Sequence, residues 1–123
     1  MIFPESKLEI ADNSGGLKAR CIKILNGSKR KGAGMGSLII ISVIKALPNK
    51  KVSKKQIHKA IIIRTKQWTT RKTGFSINFD INSCILVNNK LNPLAKRMKG
   101  PCGEEIRVYE DRKLKSMLKA NTF

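Results

Sequence analysis

The chain has 123 residues and a formal net charge of +18 at pH 7, because 26 Lys and Arg residues stand against 8 Asp and Glu residues. Apolar residues make up 41% of it, enough for one domain with one hydrophobic core and too many for a disordered basic tail. This excess of positive charge excludes a surface on which acidic and basic residues balance one another. It indicates a polyanionic partner, with nucleic acid as the first candidate and an anionic membrane surface as the second.

The positive charge is concentrated in one continuous part of the chain. Sixteen Lys and Arg residues fall between Asn13 and Phe79, and no Asp or Glu falls there. A field of one sign repels itself, so it is stable only where a polyanion neutralises it.

Turn-forming residues recur at short intervals along the chain, with β-branched segments between them. These segments are the predicted strands, at residues 8–10, 19–25, 38–46, 57–65, 76–79 and 84–87. Strands of this length between turn signals are typical of a small β-barrel or a sandwich.

Two different apolar patterns occur in these strands. The nearly continuous apolar runs at 38–44 and 61–63 predict strands that are covered on both faces. In contrast, Ile77, Phe79 and Ile81 alternate with polar residues, as expected when only one face is buried. A barrel whose outer wall is partly covered by a C-terminal element or by a partner explains both patterns.

Residues 64–79 are expected to form a protruding hairpin. Thr73 and Gly74 would make its tip, where Gly supplies the positive φ that the turn needs. Trp68 lies in this arm, and two interpretations of it stay open. The indole packs across the hairpin and stiffens it, or it stacks against RNA or a partner protein.

The pattern becomes helical after Pro101. The spacing of Leu114, Met117 and Leu118 predicts a short amphipathic helix around 112–119, and acidic residues predict a turn of helix around 104–108. The expected organisation is a single domain over 1–123, with the barrel and its hairpin in 1–100 and short helices in 101–123.

Nothing in the sequence indicates an enzyme, a metal site or a cofactor. Cys21, Cys84 and Cys102 are far apart, and we interpret them as reduced, buried apolar side chains. The acids are sparse and do not pair near a nucleophile, and the glycine run at 32–36 lacks the spacing of a phosphate-binding loop. The apolar run at 38–44 is too short to cross a bilayer.

RNA binding has the most support. Lys and Arg side chains neutralise phosphates and release counterions, which supplies affinity without reading sequence. Their spread over turns and strand faces predicts several separate contacts. Aromatic residues make up only 5% of the chain, so folded RNA is favoured over a stacked single strand.

Particular residues then indicate a family. Residues 8–15 read Leu-Glu-Ile-Ala-Asp-Asn-Ser-Gly, and residues 59–66 read Lys-Ala-Ile-Ile-Ile-Arg-Thr-Lys. Together with residues 21–25, residues 84–86 and Gly100-Pro101, they closely resemble the L-fourteen family of large-subunit ribosomal proteins, in one register over nearly the whole chain. Departures from the family's pattern at Asn78 and Glu104 mean that family contacts are not carried over to them.

The resemblance implies a mainly β fold: a small five-stranded antiparallel β-barrel of OB/SH3-like type, with a protruding hairpin and short C-terminal helices. It implies a structural constituent of the large ribosomal subunit that binds large-subunit rRNA and contributes to an inter-subunit bridge with small-subunit rRNA. Expected neighbours are ribosomal proteins of the L-nineteen and L-three families. In bacteria and organelles such proteins also dock a ribosome-silencing factor.

Sixteen residues are candidates for contacts with rRNA. They are Asn13, Ser14, Lys18, Lys23, Lys29, Arg30, Lys31, Lys51, Lys54, Arg64, Lys66, Arg71, Lys72, Asn82, Arg97 and Arg107.

A free RNA-binding chaperone on a similar barrel is the alternative function. The compartment is inferred from composition and from the start of the chain. Enrichment in Ile, Lys and Asn, and an expected start at the family's N-terminus without a transit peptide, favour an organelle-encoded protein. The residues that diverge from the family's pattern favour a mitochondrial protein over a plastid or bacterial one.

Overall fold

The computed structural model describes residues 2–25 and 32–108, with the backbone alone for residues 107 and 108. Within these ranges the chain forms short strands and one 3₁₀ helix. The strands are β1 (Lys7–Ile10), β2 (Gly16–Ile24), β3 (Leu38–Ala46), β4 (Ile57–Arg64), β5 (Thr69–Thr70), β6 (Ser76–Ile77) and β7 (Ser83–Val87), and the 3₁₀ helix is Glu104–Val108.

Five of the strands close into a barrel in the order β1-β2-β3-β4-β7, which confirms the predicted mainly β fold. One seam differs from the antiparallel prediction, because β1 and β7 pair in parallel through Glu9 with Ser83 and Ile10 with Cys84. The reason is parity: neighbours around a closed ring of five strands cannot all alternate in direction. The register between β2 and β3 shifts near Lys18 and Lys23. Such bulges bend a strand and help it to curl around a barrel.

The barrel buries apolar side chains on both surfaces of its wall at β4 and β7. Ile62 and Leu86 belong to the cluster inside the barrel, together with Ile39 and Ile41 from β3. The neighbouring residues in sequence belong to a second cluster outside it, formed by Ala11, Ile61, Ile63, Ile85, Val87, Met98, Cys102 and Ile106. The apolar run at 61–63 is therefore covered on both faces, as its pattern predicts.

The outer cluster is closed by the segment that follows β7, which we call the cover segment (residues 97–106). Backbone hydrogen bonds attach it to the barrel. The Lys99 N–H donates to the Ala11 carbonyl at 2.6 Å, the Asn13 N–H donates to the Arg97 carbonyl at 3.2 Å, and the Gly103 N–H donates to the Ile63 carbonyl at 3.1 Å. A C-terminal element thus covers part of the outer wall, as predicted.

The predicted hairpin is a short two-stranded ribbon, β5 and β6 with the turn between them. Its turn is closed by the Arg71 N–H donating to the Phe75 carbonyl at 2.8 Å, and Gly74 has the expected positive φ of 91°. Beyond Ile77 the chain leaves regular strand geometry, although Phe79 and Ile81 stay half-buried while Asn78 and Asp80 are exposed.

The turn of helix predicted around 104–108 is present as the 3₁₀ helix. The helix predicted around 112–119 lies outside the described residues. The described part of the chain contains no helix with the length and apolar character needed to span a membrane.

The two-sided burial of β4 predicts the cost of truncating its side chains. Ile62→Ala empties part of the inner core and Ile63→Ala part of the outer cluster, so each should lower the free energy of unfolding by about 2–5 kcal/mol. Ile57, on the same strand, is 66% exposed, so Ile57→Ala should stay within about 0.5 kcal/mol of the parent. Denaturant unfolding measures all three, and a neutral Ile63→Ala would contradict the covered outer wall.

Candidate nucleic-acid interface

Three segments that are distant in sequence meet beside one shallow groove. It is lined by Asn13 and Ser14 from the turn after β1, by Lys50 and Lys51 from the loop after β3, and by Ala95 and Lys96 before the cover segment; its volume is about 240 Å³. We call these six residues the basic groove. Phosphate oxygens are natural ligands for the ammonium groups of such exposed lysines.

A buried carboxylate shapes the first of these segments. One oxygen of Asp12, Oδ1, accepts the Ser14 N–H at 3.1 Å and also the Ser14 hydroxyl. The other oxygen, Oδ2, accepts the Leu86 N–H at 3.0 Å. Asp12 therefore joins the turn to β7, because both of its side-chain oxygens accept hydrogen bonds from within the fold. Asn13 is left exposed at the groove, whereas Ser14 is buried and bonded to Asp12.

A glycine lets the second segment approach the first. Gly15 has a φ of 107°, and a Cβ placed on it would lie 2.2 Å from the Cβ of Lys50. The Leu47 N–H donates to the Gly15 carbonyl at 2.8 Å, which fixes the start of the same loop. The third segment is attached through Lys51, whose Nζ donates to the Leu94 carbonyl at 3.4 Å.

The lysines of the basic groove are exposed, and in the described part of the chain none has an acidic partner within 4.0 Å. A second pair of cations lies on the adjoining strands, where Lys18 and Lys45 are direct cross-strand partners on β2 and β3. Like charges placed directly opposite one another destabilise a sheet. A bound anion relieves this repulsion, so the arrangement favours a polyanionic ligand.

The structure separates the sequence-predicted contact residues into three groups. Exposed side chains are those of Asn13, Lys18, Lys23, Lys51, Lys54, Lys66, Lys72 and Arg97. Buried or half-buried side chains with partners inside the chain are those of Ser14, Arg64, Arg71 and Asn82. Lys29, Arg30 and Lys31, and the side chain of Arg107, lie outside the described residues.

The structure also adds cations that the prediction did not include. Lys50 and Lys96 line the basic groove, and Lys45 faces Lys18. In the sequence, nothing distinguishes them from the many other cations of the chain. Their position becomes informative only when the barrel brings the three segments together.

Arg64 has a role inside the fold. Its side chain is buried, and Nη2 donates to the Lys99 carbonyl at 2.7 Å. The guanidinium lies directly against Gly100, which has a φ of 79°. Any residue with a Cβ at this position would place that atom 2.7 Å from Nη1, so only glycine leaves room for the arginine. Burial lowers the pKa of Arg64, and the nearby charge of Glu9 raises it in the opposite direction. The guanidinium nevertheless stays protonated, because the pKa of arginine is far above neutral pH. The arginine therefore holds the cover segment against β4.

Arg71 connects the ribbon to the 3₁₀ helix. Its Nε lies 3.1 Å from Oε1 of Glu105, and both side chains are mostly shielded from solvent. The hydrogen bond to Glu105 raises the pKa of Arg71. This ion pair joins the ribbon to the cover segment.

The three cysteines are buried in the protein, and the one histidine is hydrogen-bonded to a neighbouring side chain. Cys21, Cys84 and Cys102 are buried, as the sequence predicts. Burial raises the pKa of the Cys21 and Cys84 thiols, which keeps them protonated and poorly nucleophilic. His58 lies on β4 with a ring nitrogen 3.0 Å from the Gln56 side-chain oxygen. Among the described residues, no three His, Cys, Asp or Glu side chains are grouped so that they would hold a metal ion.

A comparison with known families covers almost the whole chain. The model of the family described as ribosomal protein L14p/L23e matches residues 1–121. The chain belongs to this family. It is therefore a ribosomal protein of the large subunit that takes part in translation, with a structural rather than a catalytic role. The resemblance found at residues 8–15 and 59–66 is confirmed.

The different environments of Arg64 and Lys66 give a test of their roles. Arg64→Met removes the buried guanidinium and its part-buried hydrogen bond to the Lys99 carbonyl, so we expect a loss of about 1–3 kcal/mol in the free energy of unfolding. Lys66→Met, at an exposed position, should change stability by less than about 0.5 kcal/mol. Its effect should instead appear in RNA titrations, where the log–log salt slope falls by about 0.7–0.9 for each phosphate that is no longer neutralised. An Arg64→Met variant with normal stability and a reduced salt slope would contradict this assignment.

The close approach at Gly15 gives a second test. Gly15→Ala should displace the loop that carries Lys50, lower stability and weaken RNA binding. Gly74→Ala is the matched control, because Gly74 also has a positive φ but an added Cβ meets nothing within 4 Å. The control should cost only the backbone strain of about 1–2 kcal/mol and leave the affinity for a blunt RNA duplex unchanged. Equal effects of the two variants on RNA binding would refute the contribution of the Gly15–Lys50 approach.

Proposed function

We propose that this protein binds large-subunit rRNA by clamping RNA backbone in the basic groove, with further phosphate contacts from exposed cations around the barrel. The observation that carries the proposal is the meeting of Lys50, Lys51 and Lys96 from separate parts of the chain at one groove. A site built from several segments forms only in the folded barrel. Binding therefore couples the protein fold to the fold of the RNA.

Electrostatics account for both the strength and the type of binding. Each ammonium group that replaces condensed counterions at a phosphate contributes affinity that falls as salt rises. Lysine acts on phosphate as a point charge, so these contacts position RNA without reading its bases. None of the six residues that line the groove is acidic, so no carboxylate there accepts from base edges, which fits recognition of the shape of folded RNA.

The finer placement in the ribosome rests on the family. We propose that the protein contributes to an inter-subunit bridge with small-subunit rRNA and packs beside proteins of the L-nineteen and L-three families. A ribosome-silencing factor is a further proposed partner. The enrichment in Ile, Lys and Asn supports an organelle-encoded protein, and the residues that diverge from the family's pattern favour a mitochondrial one. The test is whether the tagged chain sediments with the mitochondrial large subunit.

Charge reversal in the groove tests the proposed function. Lys51→Glu with Lys96→Glu should reduce RNA affinity and flatten its salt dependence by about 0.7–0.9 in log–log slope for each phosphate that the variant fails to neutralise. The control is Lys7→Glu with Lys90→Glu, which changes net charge equally at exposed positions outside the groove. The control should keep a salt slope closer to that of the parent. Equal decreases in affinity for the two variants would mean that total charge, and not the groove, determines binding.

Incorporation into ribosomes is the second measurement. On a sucrose gradient the tagged parent should sediment with the large subunit, while the groove variant shifts toward the top of the gradient. A parent chain that stays in the soluble fractions would support the free RNA-binding chaperone instead.

A further inference from the structure

The ribbon and its approach carry two strongly exposed aromatic side chains. Trp68, just before β5, is 64% exposed, and Phe75, in the turn, is 76% exposed. A tryptophan that packed across the hairpin to stiffen it would lose most of its accessible surface. The exposure of Trp68 therefore argues against a purely internal packing role.

The strand register defines an exposed face of the ribbon next to Trp68, which itself lies just before β5. Thr69 pairs with Ile77 and Thr70 pairs with Ser76. The first pair is half-buried, whereas Thr70 and Ser76 are exposed. Because side chains alternate between faces along a strand, Trp68 continues the exposed face of Thr70 and Ser76.

The backbone before Trp68 is held in place by hydrogen bonds. The Lys66 N–H donates to Oδ1 of Asn82 at 2.9 Å, and the buried Thr65 hydroxyl donates to the Gln67 carbonyl at 3.1 Å. These bonds fix the direction in which the chain enters β5. A fixed platform loses little conformational freedom when a flat ligand is placed on it.

A groove runs beside the indole. It is lined by Gly34, Thr65, Gln67, Trp68, Thr69 and Thr70, with a volume of about 230 Å³. A Cβ built on Gly34 meets nothing within 4 Å, so this wall of the groove is open. The groove thus combines one aromatic surface with a polar rim of hydroxyl and backbone groups.

The charge of the ribbon favours an anionic occupant. Residues 64–79 contain no Asp or Glu, and Lys66 and Lys72 are exposed on either side of β5. Bases that stack on an aromatic ring bring their own phosphates, which these ammonium groups would neutralise. An apolar protein surface or a lipid tail would gain nothing from the two lysines.

We propose that Trp68 is a stacking platform for an unpaired nucleobase of RNA, with Lys66 and Lys72 contacting the flanking phosphates. The inference rests on the proposed RNA-binding function and adds a second site, specific for unpaired nucleotides, to the backbone contacts of the basic groove. Bases splayed from loops and bulges of folded RNA are the ligands that suit it, because their faces are free to stack. Phe75 offers a second exposed ring at the tip of the same ribbon.

The chain contains one tryptophan, so its fluorescence reports on this site alone. The full-length protein is titrated with a single-stranded oligouridylate and with a blunt RNA duplex of equal phosphate number. Both should bind, but only the single strand should quench the emission of Trp68. Trp68→Ala should weaken binding of the single strand by roughly 5- to 150-fold with an unchanged salt slope, while Trp68→Phe should restore most of the affinity.

Phe3→Ala is the matched control, because Phe3 is an exposed aromatic residue outside the ribbon. It should leave single-strand affinity unchanged, and duplex binding should be the same in all four proteins. RNA binding without quenching, together with normal affinity of Trp68→Ala, would overturn the stacking site and leave the basic groove standing. Failure of every RNA to bind would overturn both proposals. If Trp68→Ala leaves RNA binding intact but large subunits lose a neighbouring protein, the ribbon is a protein-docking surface and the stacking site is refuted.

Discussion

The burial of β4 on both faces is the constraint on which the rest of the molecule depends. Ile62 points into the barrel, while Ile61 and Ile63 point out of it and would face water on a bare barrel. Each fully buried side chain of this kind contributes about 1.5–3 kcal/mol relative to an exposed one. The chain satisfies this requirement by laying its own cover segment over the outside of the wall, where its apolar side chains join those of β4 and β7 in one cluster.

The cover segment also determines where the positive charge is presented. Its hydrogen bonds to Ala11, Asn13 and Ile63 hold residues 97–103 beside the turn after β1. Lys96, immediately before it, consequently lines the same groove as Lys50. The same packing that closes the outer core therefore assembles the basic groove, so folding stability and the proposed RNA-binding site depend on the same contacts.

Charged side chains in this protein have two distinct uses. Asp12, Arg64 and the Arg71–Glu105 pair act inside the fold, where they satisfy backbone groups or join the ribbon to the cover segment. The exposed lysines have no acidic partner within 4.0 Å among the described residues. They therefore repel one another, and a bound anion would reduce this repulsion. Removing a charge of the first kind should affect stability, whereas removing one of the second kind should affect binding.

The amino-acid sequence by itself determined the β class, most strand positions and the family. It did so because runs of β-branched apolar residues and the turn residues between them are local signals, as at 38–46, where the predicted strand coincides with β3. It also indicated a polyanionic partner, because net charge does not depend on the fold. Only the tertiary structure decided which cations are enclosed by the fold and which are exposed to a ligand. Arg64 and Lys66 are two residues apart and look alike in sequence, yet one is enclosed under Gly100 and the other is exposed. That difference, like the meeting of Lys50 with Lys96, arises from contacts between distant segments, which no local pattern encodes.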